Sequence, residues 1–419
     1  MKARAHVLLA LTALVLTATA HADILVVRPV GPGFTDIQSA VNAAQDGDLI
    51  LVKPSTDPEF SYPAFTINDK SVSVVGSPAD DLPVRVDHAH IDGLSAGRKV
   101  LLSRLEVQPS VGITIQNGVT IEDALGSVRI QDSIIRGAEW YSEWWRGAVW
   151  VCDSIDVAIV RCELIPTDGE DASEFIGGKF VCVNSVGEGG AGIRASSSTV
   201  LVSDSIVHGS DGGTACVKDL INPDPGGNAA SGVLAHDSTV YVFGCFVDGG
   251  LGGWGGSGGS GYGDDASPLY ADGGSSLIVR DCVLQPPSHL VPPIHGNAVF
   301  HPDLMGRFTP EPDPLEPGET TTFHFQSPEP GQLVYLWVGL GSGLAPLSQH
   351  QGVFTVLPPY VGGTGLFLGV IESSGLLVVP IGVPALPGIQ HVVLPAQAVF
   401  VDADGALLGP HTDLIYIDE

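Results

Sequence analysis

Positive charge is what this sequence has least of. Its 419 residues hold 18 Lys and Arg against 47 Asp and Glu, a formal charge of −29. A field of that sign repels nucleic acid and anionic lipid, so neither is an expected partner. After Arg280 the only basic residue is Arg307, which leaves the last third almost purely acidic. Long apolar runs are scarce as well. The apolar stretch 7–16 is shorter than the ~20 residues a membrane span needs, and no later stretch is long and apolar enough either, so no span is expected. The six cysteines show no CxxC and no Cys/His spacing of the zinc-binding kind. The Gly-rich segment 249–263 lacks the Lys and the following helix of a phosphate-binding loop.

What the N-terminus does carry is a secretory signal. Lys2 and Arg4 form a charged start, 7–16 is the apolar segment, and Ala20-His21-Ala22 is a small-x-small cleavage pattern. Cleavage is expected before Asp23, giving a secreted or otherwise extracytoplasmic chain whose charge, without Lys2 and Arg4, is −31. Gly 54 and Pro 31, beside a hydrophobic content of 44%, describe a turn-rich all-β protein rather than a disordered one.

A repeat dominates the first two thirds. Six ten-residue units share one pattern: 100–109 (VLLSRLEVQP), 128–137 (VRIQDSIIRG), 157–166 (VAIVRCELIP), 200–209 (VLVSDSIVHG), 240–249 (VYVFGCFVDG) and 277–286 (LIVRDCVLQP). A weaker copy begins at Val72. The first, third and eighth positions are apolar, the second is mixed, and the fourth and fifth are mostly polar. Period-two spacing, a break near the fifth position and a second apolar stretch predict two short strands joined by a tight bend. A further apolar patch before each later unit supplies a third strand. The unequal spacing places the extra residues in loops at one corner of the coil.

The sixth position reads Leu105, Ser133, Cys162, Ser205, Cys245, Cys282. Facing inward, these side chains stack coil on coil, so the three cysteines are expected as buried ladder residues rather than bridges. Cys182 and Cys216 fall in long loops and are the pair open to a disulfide. The fifth position alternates charge through Arg104, Asp132, Arg161, Asp204 and Asp281; pairing along an outer surface is structural and worth under about 1 kcal/mol per pair. In 34–45 (FTDIQSAVNAAQ), Ile37, Ala40, Val41 and Ala44 have helical spacing behind Thr35 or Asp36 as N-cap. Such a helix covers the open end of a coil stack.

The opening FTDIQSAVNAAQDGDLILVKP, then Phe65-Thr66-Ile67 and Lys70-Ser71-Val72, resembles the start of the pectin-lyase-like superfamily of right-handed parallel β-helices. The later units are similar to the repeat of that superfamily. The resemblance covers about 24–295 and implies a fold, since the superfamily contains lyases, hydrolases, esterases, adhesins and inert scaffolds. The expected organisation is a signal peptide (1–22), a right-handed parallel β-helix (23–300), a Pro/Glu-rich linker (301–319) and an antiparallel β-sandwich (320–419). Seven apolar runs in 320–419 supply the sandwich strands. It resembles the C-terminal accessory sandwiches of secreted bacterial proteins, and a monomer is expected.

Three loops are candidate sites. The segment 139–150 (EWYSEWWRGAVW) holds Trp140, Tyr141, Trp144, Trp145 and Trp150, four of the six tryptophans of the chain. The acidic loop 168–174 (DGEDASE) follows one coil on, and 248–265 carries Trp254, Tyr262, Asp264 and Asp265. Paired carboxylates perform glycoside hydrolysis, which makes Glu139, Glu143, Asp168 and Asp171, with Arg146 as a nearby cation, the catalytic candidates. Oxygen ligands in 168–171 also suit calcium, although no EF-hand spacing is present and no cofactor is otherwise expected. The superfamily's chemistries match poorly: no lyase motif surrounds Arg136, Arg146, Arg161 or Lys179, and the esterase Gln-Asp-Phe segment is absent. His208 and His236 are general-base candidates. The leading expectation is a non-catalytic scaffold or cell-surface binding module with Trp140, Tyr141, Trp144 and Trp145 against a neutral polysaccharide. The alternative is a polysaccharide lyase or glycoside hydrolase.

Overall fold

The computed structural model describes residues 23–77, 82–110, 117–138, 147–169, 171, 173–176, 179–182, 187–215, 226–254, 262–301, 307–311, 315–347, 352–360, 365–383, 391–401 and 406–417. Residues 1–22, Cys216 and the side chain of Cys182 lie outside the described residues.

Three parallel sheets run the length of the repeat, and a full coil adds one strand to each, the terminal coils contributing fewer. Sheet A has ten strands: Ile24–Val27, Leu49–Val52, Val72–Gly76, Lys99–Ser103, Ser127–Gln131, Asp156–Val160, Thr199–Ser203, Thr239–Phe243, Ser276–Arg280 and Ala298–His301. Sheet B takes the second half of each unit in seven strands, from Val84–Val86 through Ile134–Arg136 and Glu163–Ile165 to Val283–Gln285. Sheet C has eight, from Phe65–Asn68 through Gly147–Cys152 and Ala191–Ser196 to Ile294–His295. The register aligns equal repeat positions, as in Val100↔Val128 and Val128↔Val157. Inward residues such as Val128, Ile130, Ile135, Val149 and Val151 then merge into one continuous core. This is why the repeat keeps the same apolar positions: each coil buries its face only against the next.

The bend between sheets A and B is left-handed. Arg104, Asp132, Arg161, Asp204, Gly244 and Asp281 have φ between +47° and +63°. Asp and Gly tolerate this region; Arg does so only where the fold over-determines it. The sixth-position side chains follow, with Leu105, Ser133, Cys162, Ser205 and Cys245 buried and Cys282 partly so. Their small size has a specific cause. Each hydroxyl or thiol donates to the carbonyl two residues back, Ser133 to Gln131 at 2.8 Å and Cys245 to Phe243 at 3.2 Å. The Ser133 oxygen also accepts from Leu105 N of the preceding coil at 3.2 Å. A second ladder, not anticipated, lines the corner from sheet C to sheet A. Ser154, Ser198 and Ser238 donate N–H to the hydroxyls of Ser198, Ser238 and Ser275 at 3.0–3.1 Å.

At the N-terminal end, helix α1 (Ile37–Ala43) buries Ile37, Ala40 and Val41 on the first coil. Asp36 is the N-cap and accepts from Ser39 N at 2.7 Å. Lys70 closes the other end, donating to the carbonyls of Val41 and Ala44, both at 2.7 Å.

All seven apolar runs of the C-terminal part are strands. An eighth, Arg307–Glu311, pairs antiparallel with Thr320–Gln326, so part of the segment read as linker is sheet. Two sheets face each other around Phe308, Phe323, Phe325, Leu336, Ala398 and Phe400.

This sandwich folds back onto the outer face of sheet A, so the mixed second and mostly polar fourth positions are covered rather than open. The fourth-position residues Ser103, Gln131, Val160, Ser203, Phe243 and Arg280 are all buried. Leu49, Leu51, Val75 and Leu101 form one cluster with Ile415 and Ile417. The Gln131 amide pairs with the backbone of Asp413, accepting its N–H at 3.2 Å and donating to its carbonyl at 3.3 Å. The expected surface pairing of fifth-position charges survives in altered form. Arg161 grips Asp132 through two nitrogens at 2.7 and 2.8 Å, and its third reaches Thr412 Oγ1 of the sandwich at 2.9 Å.

Candidate functional site

The long insertions all leave from the corner between sheets B and C. Three of them project as out-and-back pairs of extended legs: 166–169 with 187–190, 208–215 with 226–231, and 249–254 with 262–268. The legs form a bundle rather than a sheet. The leg 208–215 alone is bonded to four others, through Gly169 N to Asp211 O (2.7 Å), Gly213 N to Gly187 O (3.0 Å), Gly227 N to Gly213 O (2.9 Å) and Gly212 N to Leu251 O (2.9 Å). A β-strand has two such neighbours. Packing of this kind needs glycine where legs meet: a Cβ at Gly212 would stand 1.9 Å from Gly227 O, and one at Gly253 would stand 2.0 Å from Gly213 O. The described glycines of the run that is no phosphate loop, such as Gly250, Gly252, Gly253 and Gly263, are therefore part of this lattice.

The acidic candidates take part in this lattice. Asp168 Oδ1 accepts from Asp211 N at 3.0 Å, and Asp171 Oδ1 accepts from Thr214 N at 2.6 Å. Asp211 repeats the device one coil on, accepting from Leu251 N at 2.7 Å. Among the described residues no three His, Cys, Asp or Glu side chains converge as a cation set would need. Glu139, Trp140, Tyr141, Glu143, Trp144, Trp145, Arg146 and Glu170 lie outside the described residues. His208 and His236 belong to different faces, at the ends of strands in sheets B and C. Each pairs with an aspartate of the next coil, His208 with Asp248 at 2.8 Å and His236 with Asp272 at 2.6 Å. The hydrogen bond to Asp248 raises the His208 pKa above its ordinary value.

The bundle presents two aromatic rings to solvent. Gly263 N donates to Gly253 O at 2.9 Å across the third pair of legs. Trp254 and Tyr262 are the next residues toward the tip on either leg, so they stand opposite each other, 56% and 71% exposed. Nearby, the outward row of sheet C runs Trp150, Arg194, Leu234, Tyr270, His295, with Tyr270 and His295 stacked at 4.8 Å. That row was not anticipated as a surface, because its members are spread over five coils and only the register brings them into line.

A separate recess of about 340 Å³ opens at the bend between sheets A and B, lined by Asp132, Arg161, Glu163, Asp204 and Ile206 among others. Burial pushes the Asp204 carboxyl up to about 6, and Arg307, 3.6 Å away on the sandwich, and Arg161 offset only part of that. The folded state thus holds this proton to higher pH than the unfolded chain. Its stabilising effect is full below the ordinary value of 3.8 and is lost as pH rises through about 6. An Asp204→Asn variant is expected to be more stable than the parent at pH 7.5 by about 2 kcal/mol, with the gap closing toward pH 4. Urea midpoints at both pH values check this; a gap independent of pH would rule it out.

No protein-family model matches the sequence, and no curated protein sequence does. Solved structures that align with it include a rhamnogalacturonan lyase, 14% identical over 62% of this chain and 68% of that one, with a TM-score of 0.28. Another is the full-length tailspike protein 2 of Escherichia coli O157:H7 bacteriophage CAB120, 12% identical over 94% of this chain and 64% of that one, with a TM-score of 0.25. The class rests on the chain's own three parallel sheets, stacked in register: it is a parallel β-helix protein. Its particular form adds an N-terminal helical cap and a C-terminal antiparallel sandwich laid along one face.

Proposed function

We propose that the protein is an extracytoplasmic, non-catalytic β-helix module that binds neutral glycans at the corner between sheets B and C. The observation that carries the reading is the two exposed rings of Trp254 and Tyr262, on neighbouring legs that a glycine lattice holds in place. Exposed aromatic rings on a hydrogen-bonded support present a ready stacking surface for the apolar C–H face of a sugar, at little ordering cost. The acidic surroundings, with Asp264 and Asp265 adjacent, accept hydrogen bonds from hydroxyls and disfavour polyanions. The tryptophan-rich segment 139–146 leaves from the same corner and leads into the strand that carries Trp150. Trp140, Tyr141, Trp144 and Trp145 are therefore proposed to extend the same surface.

Titration with neutral and anionic polysaccharides, followed by tryptophan fluorescence and calorimetry, tests this. Trp254→Ala and Tyr262→Ala are each expected to weaken binding of a neutral glycan about tenfold with the fold intact. Trp144→Ala and Trp145→Ala report on the extended surface. Unchanged affinity in all four variants, or a preference for polyanions, would remove the proposal. A second reading, a glycan hydrolase, is favoured by one observation: Asp204, a carboxyl held protonated toward neutral pH, shares its recess with Glu163 and Asp132. Reproducible turnover lost in Asp204→Asn would establish it in place of the first.

A further inference from the structure

The sixth-position ladder treats its members alike except at one place. Cys162 has Ser133 and Ser205 at the same position in the coils on either side, and Cys152 stands in a row with Glu122 and Ser196. Cys245 and Cys282, by contrast, are consecutive. Phe243 pairs with Arg280 and Phe246 with Val283, so the two cysteines between them face each other in register. Parallel neighbours lie about 4.8 Å apart, inside the Cα range that disulfides span. Both sulfurs turn the same way: Cys245 Sγ donates to Phe243 O at 3.2 Å and Cys282 Sγ to Arg280 O at 3.1 Å. Cys282 Sγ also lies 3.2 Å from Val242 O, which brings it toward the coil of Cys245.

We propose that Cys245 and Cys282 are a redox pair that closes to a disulfide across neighbouring coils of the β-helix, while Cys162 remains a thiol. Access comes from the end of the stack. Val283–Gln285 is the edge strand of sheet B, Val283 is 61% exposed, and Cys282 is only partly buried. Cys245 is buried and is reached only through its partner. The hydrogen bond between the two side chains lowers the Cys282 pKa, and burial raises that of Cys245, which assigns the attacking role to Cys282.

The oxidant is a low-molecular-weight disulfide such as oxidised glutathione. Cys282 thiolate attacks one of its sulfurs, and one glutathione thiolate leaves. Cys245 then gives up its proton and attacks the Cys282 sulfur, expelling the second glutathione. Two protein thiols become one disulfide, and the two electrons reduce the oxidant to two thiols. The bond closes a loop over residues 246–281, which contains the third insertion with Trp254 and Tyr262, and fastens the last strand of sheet B to the one before it. The inference does not depend on the glycan-binding reading.

The full chain, equilibrated in oxidised or reduced glutathione, alkylated, digested and examined by mass spectrometry, tests the pair. The expected product of oxidation is one peptide pair joined through Cys245 and Cys282, with Cys162 alkylated only after denaturation. Oxidation is also expected to raise Tm by about 5 °C, a gain absent in Cys282→Ser and Cys245→Ser. Serine occupies this position natively at Ser133 and Ser205, so both variants keep the ladder. Accumulation of a glutathione adduct on Cys282 without closure, or both thiols free at equilibrium with the oxidant, would overturn the proposal.

Discussion

Replacing Gly250 with Ala is expected to lower stability by about 3 kcal/mol or more and to loosen the second and third leg pairs together. The added Cβ would stand 1.8 Å from Ser210 O and 2.3 Å from its carbonyl carbon. Both are backbone atoms, so no side chain can swing aside. Gly250 is also bonded on two sides, donating to Ala230 O at 3.2 Å and accepting from Ala266 N at 3.1 Å. Moving it therefore strains the neighbouring legs as well. Hydrogen exchange over 209–215, 226–230 and 263–266 is expected to accelerate together, since these segments share one network. Gly382→Ala serves as the control, because a Cβ there meets nothing within 4 Å. Equal unfolding midpoints for the two variants would mean that the legs are not packed as a bundle. If the glycan surface depends on the lattice, Gly250→Ala also weakens binding without touching an aromatic ring.

The second large effect is expected at the seam between sandwich and coil. Ile415→Asp should cost about 3 kcal/mol or more and release the sandwich from sheet A. Ile415 is fully buried against Leu49, Leu51, Val75 and Leu101. A carboxylate there has no cation in the cluster to pair with, and released leucines on a parallel sheet face invite aggregation. Light scattering and urea unfolding measure both consequences. Deleting the chain after residue 301 is expected to give the same insolubility, since it uncovers the fourth-position residues along the whole sheet. A monomeric Ile415→Asp protein with an unchanged midpoint would show that the seam contributes nothing. The sandwich thus serves as a fitted cover on the outer face of sheet A.

Parts of the candidate site were legible in the residues. The corner that carries the insertions follows from unequal spacing between equal units, and Trp254, Tyr262 and Asp168 were visible as unusual residues within them. Their roles were not. Asp168 and Asp171 have the residue type of catalytic acids or calcium ligands, and only the placement of the next leg shows them capping backbone N–H groups at Asp211 and Thr214. Asp204 read as one member of a charge alternation; only the fold makes it a partly buried carboxyl with Arg307, 103 positions later, beside it. The serine ladder at Ser154, Ser198, Ser238 and Ser275 escaped notice because it lies just outside the ten-residue unit.

By itself the sequence determined the coil. Side-chain alternation and the repeat spacing specify which faces turn inward, and stacking identical faces is a local, nearest-neighbour problem that a one-dimensional pattern can encode. Helix α1 with its Asp36 cap and the buried Cys162 and Cys245 follow from the same local rules. The tertiary structure alone decided which outward surfaces meet. Leu101 and Phe243 lie on the face of sheet A turned away from the coil's core, and the chain folds Ile415 and Leu344 back over them. The glycine legs likewise find their neighbours across coils. Contacts of this kind join residues tens to hundreds of positions apart. No periodicity records them, because they depend on shape and distance rather than on spacing along the chain.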